Sequence, residues 1–196
     1  MDNTKDYIAE EAFKLFLNHS YEAVSISNIS NAIGFTKGAL YHHFKSKEEL
    51  FKYVIDKYLF IPEAITDVET ISLSEYLDLC FTQSQKIIKT IFNFTLVYKP
   101  INYLSMFADA FRHYPGYAES KGNFFSNEIE KTRVVLVRAI ETGEIRNDIN
   151  PDLIAMNYFS IIMGLAGNLV RNNSIDDSIN LLKEQLLEFY KLLKKQ

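Results

Sequence analysis

The chain reads as an all-α protein, and three observations predict it. Four prolines and seven glycines in 196 residues are too few for a loop-rich or all-β design. Apolar residues recur at three- and four-residue spacing over long stretches. Short polar breaks separate those stretches, several of them supplying a Ser, Thr or Asn suited to cap a helix. With 47% apolar residues the chain can bury one large core, or two smaller ones sharing a helix.

Each element follows from local chemistry. The first helix is expected over residues 4–18, where Ile8, Ala12, Leu15 and Phe16 form one stripe. The second, over 26–33, has Ser25 as its N-cap and Gly34 as its stop. Thr36 caps a third over 37–44. A fourth opens on Ser46-Lys47-Glu48-Glu49, a capping box in which Ser46 and Glu49 satisfy each other's amides, and runs until Pro62 ends it. This fourth helix is expected to link a three-helix domain, residues 1–57, to a larger helical domain, residues 58–196. A second box, Ser72-x-x-Glu75, opens a helix over 73–93. Helices over 101–113 and 123–142 are separated by Tyr114-Pro115-Gly116. Asn150-Pro151 starts a helix reaching residue 171, Asn as cap and Pro in the first turn. The last helix, 176–195, places Lys191, Lys194 and Lys195 at the negative end of its dipole.

Several function classes find no support. The single Cys80 rules out an intramolecular disulfide and a cysteine-based zinc cage. No phosphate loop, nucleophile elbow, metal-ligand cluster or dinucleotide fingerprint is present, so neither catalysis nor a cofactor is expected. No signal segment opens the chain, and no run of about 18 uncharged apolar residues is expected to cross a bilayer, which predicts a cytoplasmic protein.

The formal charge of −4 argues against a nucleic-acid partner only if taken whole. Residues 25–47 contain Lys37, Lys45 and Lys47 and no carboxylate. Two short helices that exclude acids from an otherwise acidic chain need an electrostatic reason, and a phosphate backbone supplies one. In a helix-turn-helix the second helix enters the major groove. Leu40 and Phe44 face inward on that helix, leaving Lys37, Gly38, Ala39, Tyr41 and His42 outward. Lys37 is placed to donate to guanine, and Gly38 and Ala39 let the backbone approach the bases. Tyr41 and His43 suit phosphate or sugar, with core packing the competing reading for Tyr41. Ser25, Ser27, Thr36 and Lys47 lie at helix N-termini, where free amides meet phosphates. His42-His43 is a poor metal pair, since adjacent helical positions diverge by about 100°. His19 and His113 are expected to be solvated or capping residues.

The run Ile29-Ser30-x-x-Ile33-Gly34-Phe35-Thr36-Lys37-Gly38-Ala39-Leu40-Tyr41-His42-His43-Phe44-Lys45-Ser46-Lys47-Glu48-Glu49-Leu50 resembles the N-terminal signature of the TetR/AcrR family of bacterial transcriptional regulators. The match is strong over the first 57 residues. A weaker echo is the segment from Gly143 to Pro151 with its following helix. Ser20, Ser25 and Ser30 stand where the family often has Gly, Thr and Ala. Ser27 replaces a longer basic residue and is expected to weaken one DNA contact.

The resemblance implies a homodimer, a palindromic double-stranded DNA operator, and a C-terminal pocket for a small, largely apolar effector whose binding releases DNA. A binding dimer without DNA specificity, and an architectural DNA-binding protein, are the rival readings. Pocket candidates are Phe81, Tyr103, Phe107, Phe111 and Phe125, with Arg138 and Asn157 as polar contacts. Phe92, Tyr158, Phe159, Gln83 and Asn168 are further possibilities. Taken alone, each aromatic is read as core before pocket, and Arg138 as solvent-facing before ligand-binding. Gly164 and Gly167 make a smooth helix face that, with Leu182 and Leu186 of the last helix, suits a four-helix dimer interface; close packing inside one subunit is the alternative.

Overall fold

The computed structural model describes residues 3–59, 65, 68–93, 99–172 and 174–195. Among them are nine helices: α1 (Asn3–Asn18), α2 (Ile26–Ile33), α3 (Lys37–His43), α4 (Lys47–Tyr58), α5 (Leu73–Asn93), α6 (Pro100–His113), α7 (Tyr117–Glu141), α8 (Pro151–Asn172) and α9 (Ile175–Leu193). The described residues include no strand, only an isolated bridge between Ile145 and Lys194. The all-α expectation holds. The chain divides into two compact units, Met1–Ile61 with Ile91–Ala118, and Pro62–Thr90 with Glu119–Gln196.

The first unit is built on α1. Its inner stripe is broader than expected: Ile8, Ala9, Ala12, Phe13, Phe16 and Leu17 are buried, while Leu15 is only half-buried. Against it pack Ile29 and Ile33 of α2, Leu40 of α3, Phe44, and Leu50, Phe51, Val54 and Ile55 of α4. Phe13 stacks on Tyr58, ring centroids 4.3 Å apart. From the far side of the sequence, α6 joins this unit, and two of its side chains hydrogen-bond to its backbone. Asn102 Nδ2 donates to the Leu17 carbonyl at 2.8 Å, and the Tyr21 amide donates to Asp109 Oδ2 at 2.7 Å. The first satisfies a carbonyl in the last turn of α1, where the helix has no partner of its own to offer, and the second an amide of the turn that follows.

The second unit converges on Glu144. Its carboxylate accepts the amides of Leu73 (2.9 Å) and Ser74 (3.0 Å) at the start of α5, and the Tyr190 hydroxyl of α9 (3.0 Å). One side chain thus caps one helix and ties down another, with its charge at the positive end of the α5 dipole. The Arg146 amide donates to the Leu193 carbonyl at 2.9 Å beside it. Tyr158 and Leu165 of α8 and Ile179, Leu182 and Leu186 of α9 fill the core where these two helices pack.

Several expectations are corrected. The box at Ser46 closes only one way: Ser46 Oγ accepts the Glu49 amide at 3.0 Å, but Glu49 Oε2 takes the Lys45 amide at 2.7 Å instead of that of Ser46. The box at Ser72 is reciprocal as expected. α4 ends at Tyr58, and Pro62 lies outside the described residues. α7 starts at Tyr117, six residues early, because Gly116 adopts the left-handed conformation (φ 80°) and the chain turns straight into the helix. Leu182 and Leu186 lie in the core of their own unit, whereas Leu187 and Leu192 are exposed on α9. Finally, α8 is long and apolar enough to cross a membrane by length and composition, which the sequence reading denied. Its buried side packs within the unit, and its outward side carries Leu153, Met156, Asn157, Ser160, Met163, Gly164, Gly167 and Val170.

Burial makes the fold sensitive to alkali. The Tyr58 phenol is pushed up from 10.0 to about 12 by burial, and Tyr76, Tyr117 and Tyr158 are raised further by the same cause. Such groups bind protons more tightly folded than unfolded, so their contribution is intact below pH 10 and is lost as pH rises through the folded pKa. The urea midpoint is expected to fall between pH 10 and 12, and Tyr58→Phe to flatten that fall. A midpoint as steep in Tyr58→Phe as in wild type would contradict the assignment.

Candidate nucleic-acid interface and ligand cavity

The helix-turn-helix is assembled from three hydroxyl caps and one glycine. Ser25 Oγ accepts the Asn28 amide at 3.1 Å, and Asn28 Oδ1 accepts the Ser25 amide at 2.8 Å, a capping box that uses Asn in place of Glu. The same oxygen accepts the Ser25 hydroxyl. Gly34, at φ 71° and ψ 21°, turns the chain out of α2, and the Phe35 amide closes back on the Ser30 carbonyl at 3.0 Å. Thr36 Oγ1 then accepts the Ala39 amide at 3.2 Å and starts α3.

α3 has one buried and one open side. Leu40, with Phe44 just past its end, is fully buried, as the spacing predicts. Lys37, Gly38, Ala39, Tyr41 and His42 are exposed, and His43 is half-buried. Tyr41, at 49% exposure, is not a core residue. A Cβ added at Gly38 would meet only Thr36 Oγ1, at 3.9 Å. Glycine inside a helix costs about 1 kcal/mol relative to alanine, and nothing within the protein requires it there. Its smoothness faces outward.

Lys47 is placed differently from the expectation of a free phosphate ligand. Its Nζ donates to the Tyr21 carbonyl at 3.0 Å and sits 4.0 Å from the Tyr21 ring centroid. The same ring stacks on His113 at 4.5 Å and approaches Phe51 at 4.6 Å. His113 is therefore half-buried against Tyr21, with Nε2 3.8 Å from Glu22, and is not the solvated residue expected. His42 and His43 stand edge to face, and no group among the described residues brings together three side chains able to hold a metal ion.

The expected ligand residues do not form one site. Tyr103, Phe107 and Phe111 belong to α6 in the first unit, where Tyr103 is buried near Phe13 and Phe111 is exposed beside Tyr117. Asn157 is exposed on the outward side of α8. Arg138 donates through Nη1 to the Glu69 carbonyl and serves as a strut. Phe81 lies with Lys183 between α5 and α9. The side chain of Phe92 lies outside the described residues. Only Phe125 remains, with Gln83, Tyr158 and Phe159, on a cavity of about 160 Å³ in the second unit. Tyr76, Cys80, Ser84, Glu128 and Thr132 also line it and were missed, since each is unremarkable in its own helix.

Residues 8–54 match the family described as bacterial regulatory proteins, tetR family. This stretch belongs to that family. The chain is 40% identical over 55 residues to the HTH-type transcriptional repressor ComR of Escherichia coli, covering 28% of this chain and 26% of ComR. It is 37% identical over 68 residues to the transposon Tn10 TetC protein of Escherichia coli, covering 35% of this chain and 34% of TetC. The matched region thus spans about a quarter to a third of these curated relatives. Over the whole chain the fold is similar to two Pseudomonas aeruginosa repressors. NalD, secondary repressor of the MexAB-OprM multidrug efflux pump, gives a TM-score of 0.70 at 20% identity, covering 100% of this chain and 98% of NalD. MexZ gives 0.68 at 16% identity, covering 100% and 97%. The tetR-family domain is thus held at residue level, and the remainder at the level of fold.

The Thr36 cap is the sole side-chain support at the start of a seven-residue helix. Thr36→Ala is expected to cost about 1 kcal/mol of stability, read as a lowered urea midpoint, with amide exchange quickening first at Gly38 and Ala39.

Proposed function

We propose that the protein is a homodimeric, ligand-responsive transcriptional repressor that binds a palindromic operator and leaves it when a small, largely apolar effector occupies the second unit. The observation that carries this reading is the outward side of α3. It is exposed, free of carboxylates, and joins one lysine to a glycine and an alanine smooth enough for close approach.

Each residue then has a role. Lys37 donates to guanine in the major groove, and Ala39 contacts a thymine methyl. Tyr41, His42 and His43 meet phosphate and sugar, and the first amides of α2, beside Ser25 and Ser27, and of α3, beside Thr36, meet phosphates. Lys47 adds positive charge at the start of α4, steadied by Tyr21. A second copy of the chain, packed on the outward stripe of α8 around Gly164 and Gly167 and on Leu187 and Leu192 of α9, sets two α3 helices about 34 Å apart in successive grooves. The cavity bounded by Phe125 and Tyr158 takes the effector. Effector and DNA then favour different conformers, and each lowers the other's affinity by the same factor.

Selection of binding sites from random duplex DNA by the purified, ligand-free protein tests the reading. An enriched inverted repeat is expected; no enrichment would overturn it. On the selected site, Lys37→Ala is expected to relax base preference, whereas Lys47→Ala weakens all sequences alike and lowers the salt slope by about 1. Equal effects on specificity would sink the two roles.

A further inference from the structure

The cavity wall has a definite order of protons. Thr132 Oγ1 donates to the Glu128 carbonyl at 2.9 Å, so its bond with the Tyr76 hydroxyl, also 2.9 Å, is donated by Tyr76. Cys80 is hydrogen-bonded to both Tyr76 and Tyr158. Burial pushes its thiol up to about 11, so it is a neutral partner and not a thiolate nucleophile. Since Tyr76 gives its one proton to Thr132, Cys80 donates to Tyr76 and Tyr158 donates to Cys80, so these protons are spent inside the wall and the phenol oxygens keep lone pairs. The wall at this end accepts.

It also carries no uncompensated charge. Glu128 is the one ionisable carboxylate lining the cavity, and Lys131 holds it at 2.7 Å. Tyr76 and Tyr158 are kept neutral by burial. A charged guest would give up hydration there and meet no unpaired counter-ion. The rest of the lining is Phe124, Phe125, Phe159, Ile87, Ile162 and Met163, with Gln83 and Ser84 as its remaining polar side chains and the Phe125 and Phe159 rings 5.3 Å apart and tilted. Such rings receive another ring edge-on or offset. The size fits one ring, since an apolar cavity of about 150 Å³ takes up benzene, and this one is about 160 Å³.

We propose that the effector is a neutral, single-ring aromatic bearing one hydroxyl, a simple phenol, whose hydroxyl donates to the Tyr76–Tyr158 end while its ring lies among Phe124, Phe125 and Phe159. This rests on the ligand-responsive reading above and narrows it to a chemical class.

Calorimetric titration of the full-length protein with four probes of one shape tests it: 4-methylphenol, toluene, 4-methylbenzoate and 4-methylbenzylammonium. 4-Methylphenol is expected to bind about tenfold tighter than toluene, and the two ions not to bind. Combining Tyr76→Phe with Tyr158→Phe keeps both rings and is expected to bring 4-methylphenol down to toluene. Equal affinity for 4-methylphenol and toluene in the wild type, tighter binding of either ion, or no binding of any probe would each overturn the assignment. Site selection on the same preparation separates the two failures. An enriched inverted repeat without phenol binding removes the effector class alone, and absence of the repeat removes the regulator.

Discussion

Everything at the nucleic-acid interface depends on keeping a seven-residue helix in place. A helix of two turns cannot form alone, because nucleation costs more than so few hydrogen bonds return. α3 exists because Leu40 and Phe44 are sunk into the core of the first unit and because the Thr36 hydroxyl accepts a first-turn amide that has no partner within the helix. The choice of caps matters. Ser25, Thr36 and Ser46 start three successive helices with hydroxyls. Aspartate would cap as well as serine, but it would set a negative charge where the phosphates are proposed to lie. Of the two carboxylates in the first turn of α4, Glu49 is turned back onto the Lys45 amide and Glu48 is paired with Lys52. Folding and charge selection are met by the same three side chains.

What was legible in the sequence is what is local. Caps at Ser25, Thr36 and Ser72, the left-handed Gly34 and the inward pair Leu40 and Phe44 all act within five residues, so their chemistry can be read off the chain. Two contacts, one inside each unit, act across much longer separations. Asp109 meets Tyr21 over 88 residues, and Glu144 meets Leu73 over 71. Neither acid stands out in its own segment, since a carboxylate is ordinarily a solvated one. The same limit scattered the aromatic candidates. Tyr103, Phe107 and Phe111 share α6 with the first unit, whereas the cavity draws on α5, α7 and α8. On α9, leucines surround enough of the helix that spacing alone does not say which side meets α8. Packing chose Leu182 and Leu186 for the core and left Leu187 and Leu192 outside.

α8 has the least ordinary composition in the chain. A helix apolar on every side is covered on every side, by protein or by lipid. One side of α8 is covered by its own unit. The other carries Asn157, Ser160 and two glycines among its methionines and leucine. Amide and glycine positions suit a close helix partner better than hydrocarbon, where an unsatisfied amide is expensive. This favours the proposed second copy over a membrane. Tyr158, Phe159, Ile162 and Met163 of the same helix line the cavity, and Met163 also lies on the outward stripe. Cavity wall and proposed subunit interface are adjacent sides of one rigid element. On the proposed reading, a guest that shifts α8 by a fraction of a side chain acts on the proposed dimer contact directly, with no intervening helix.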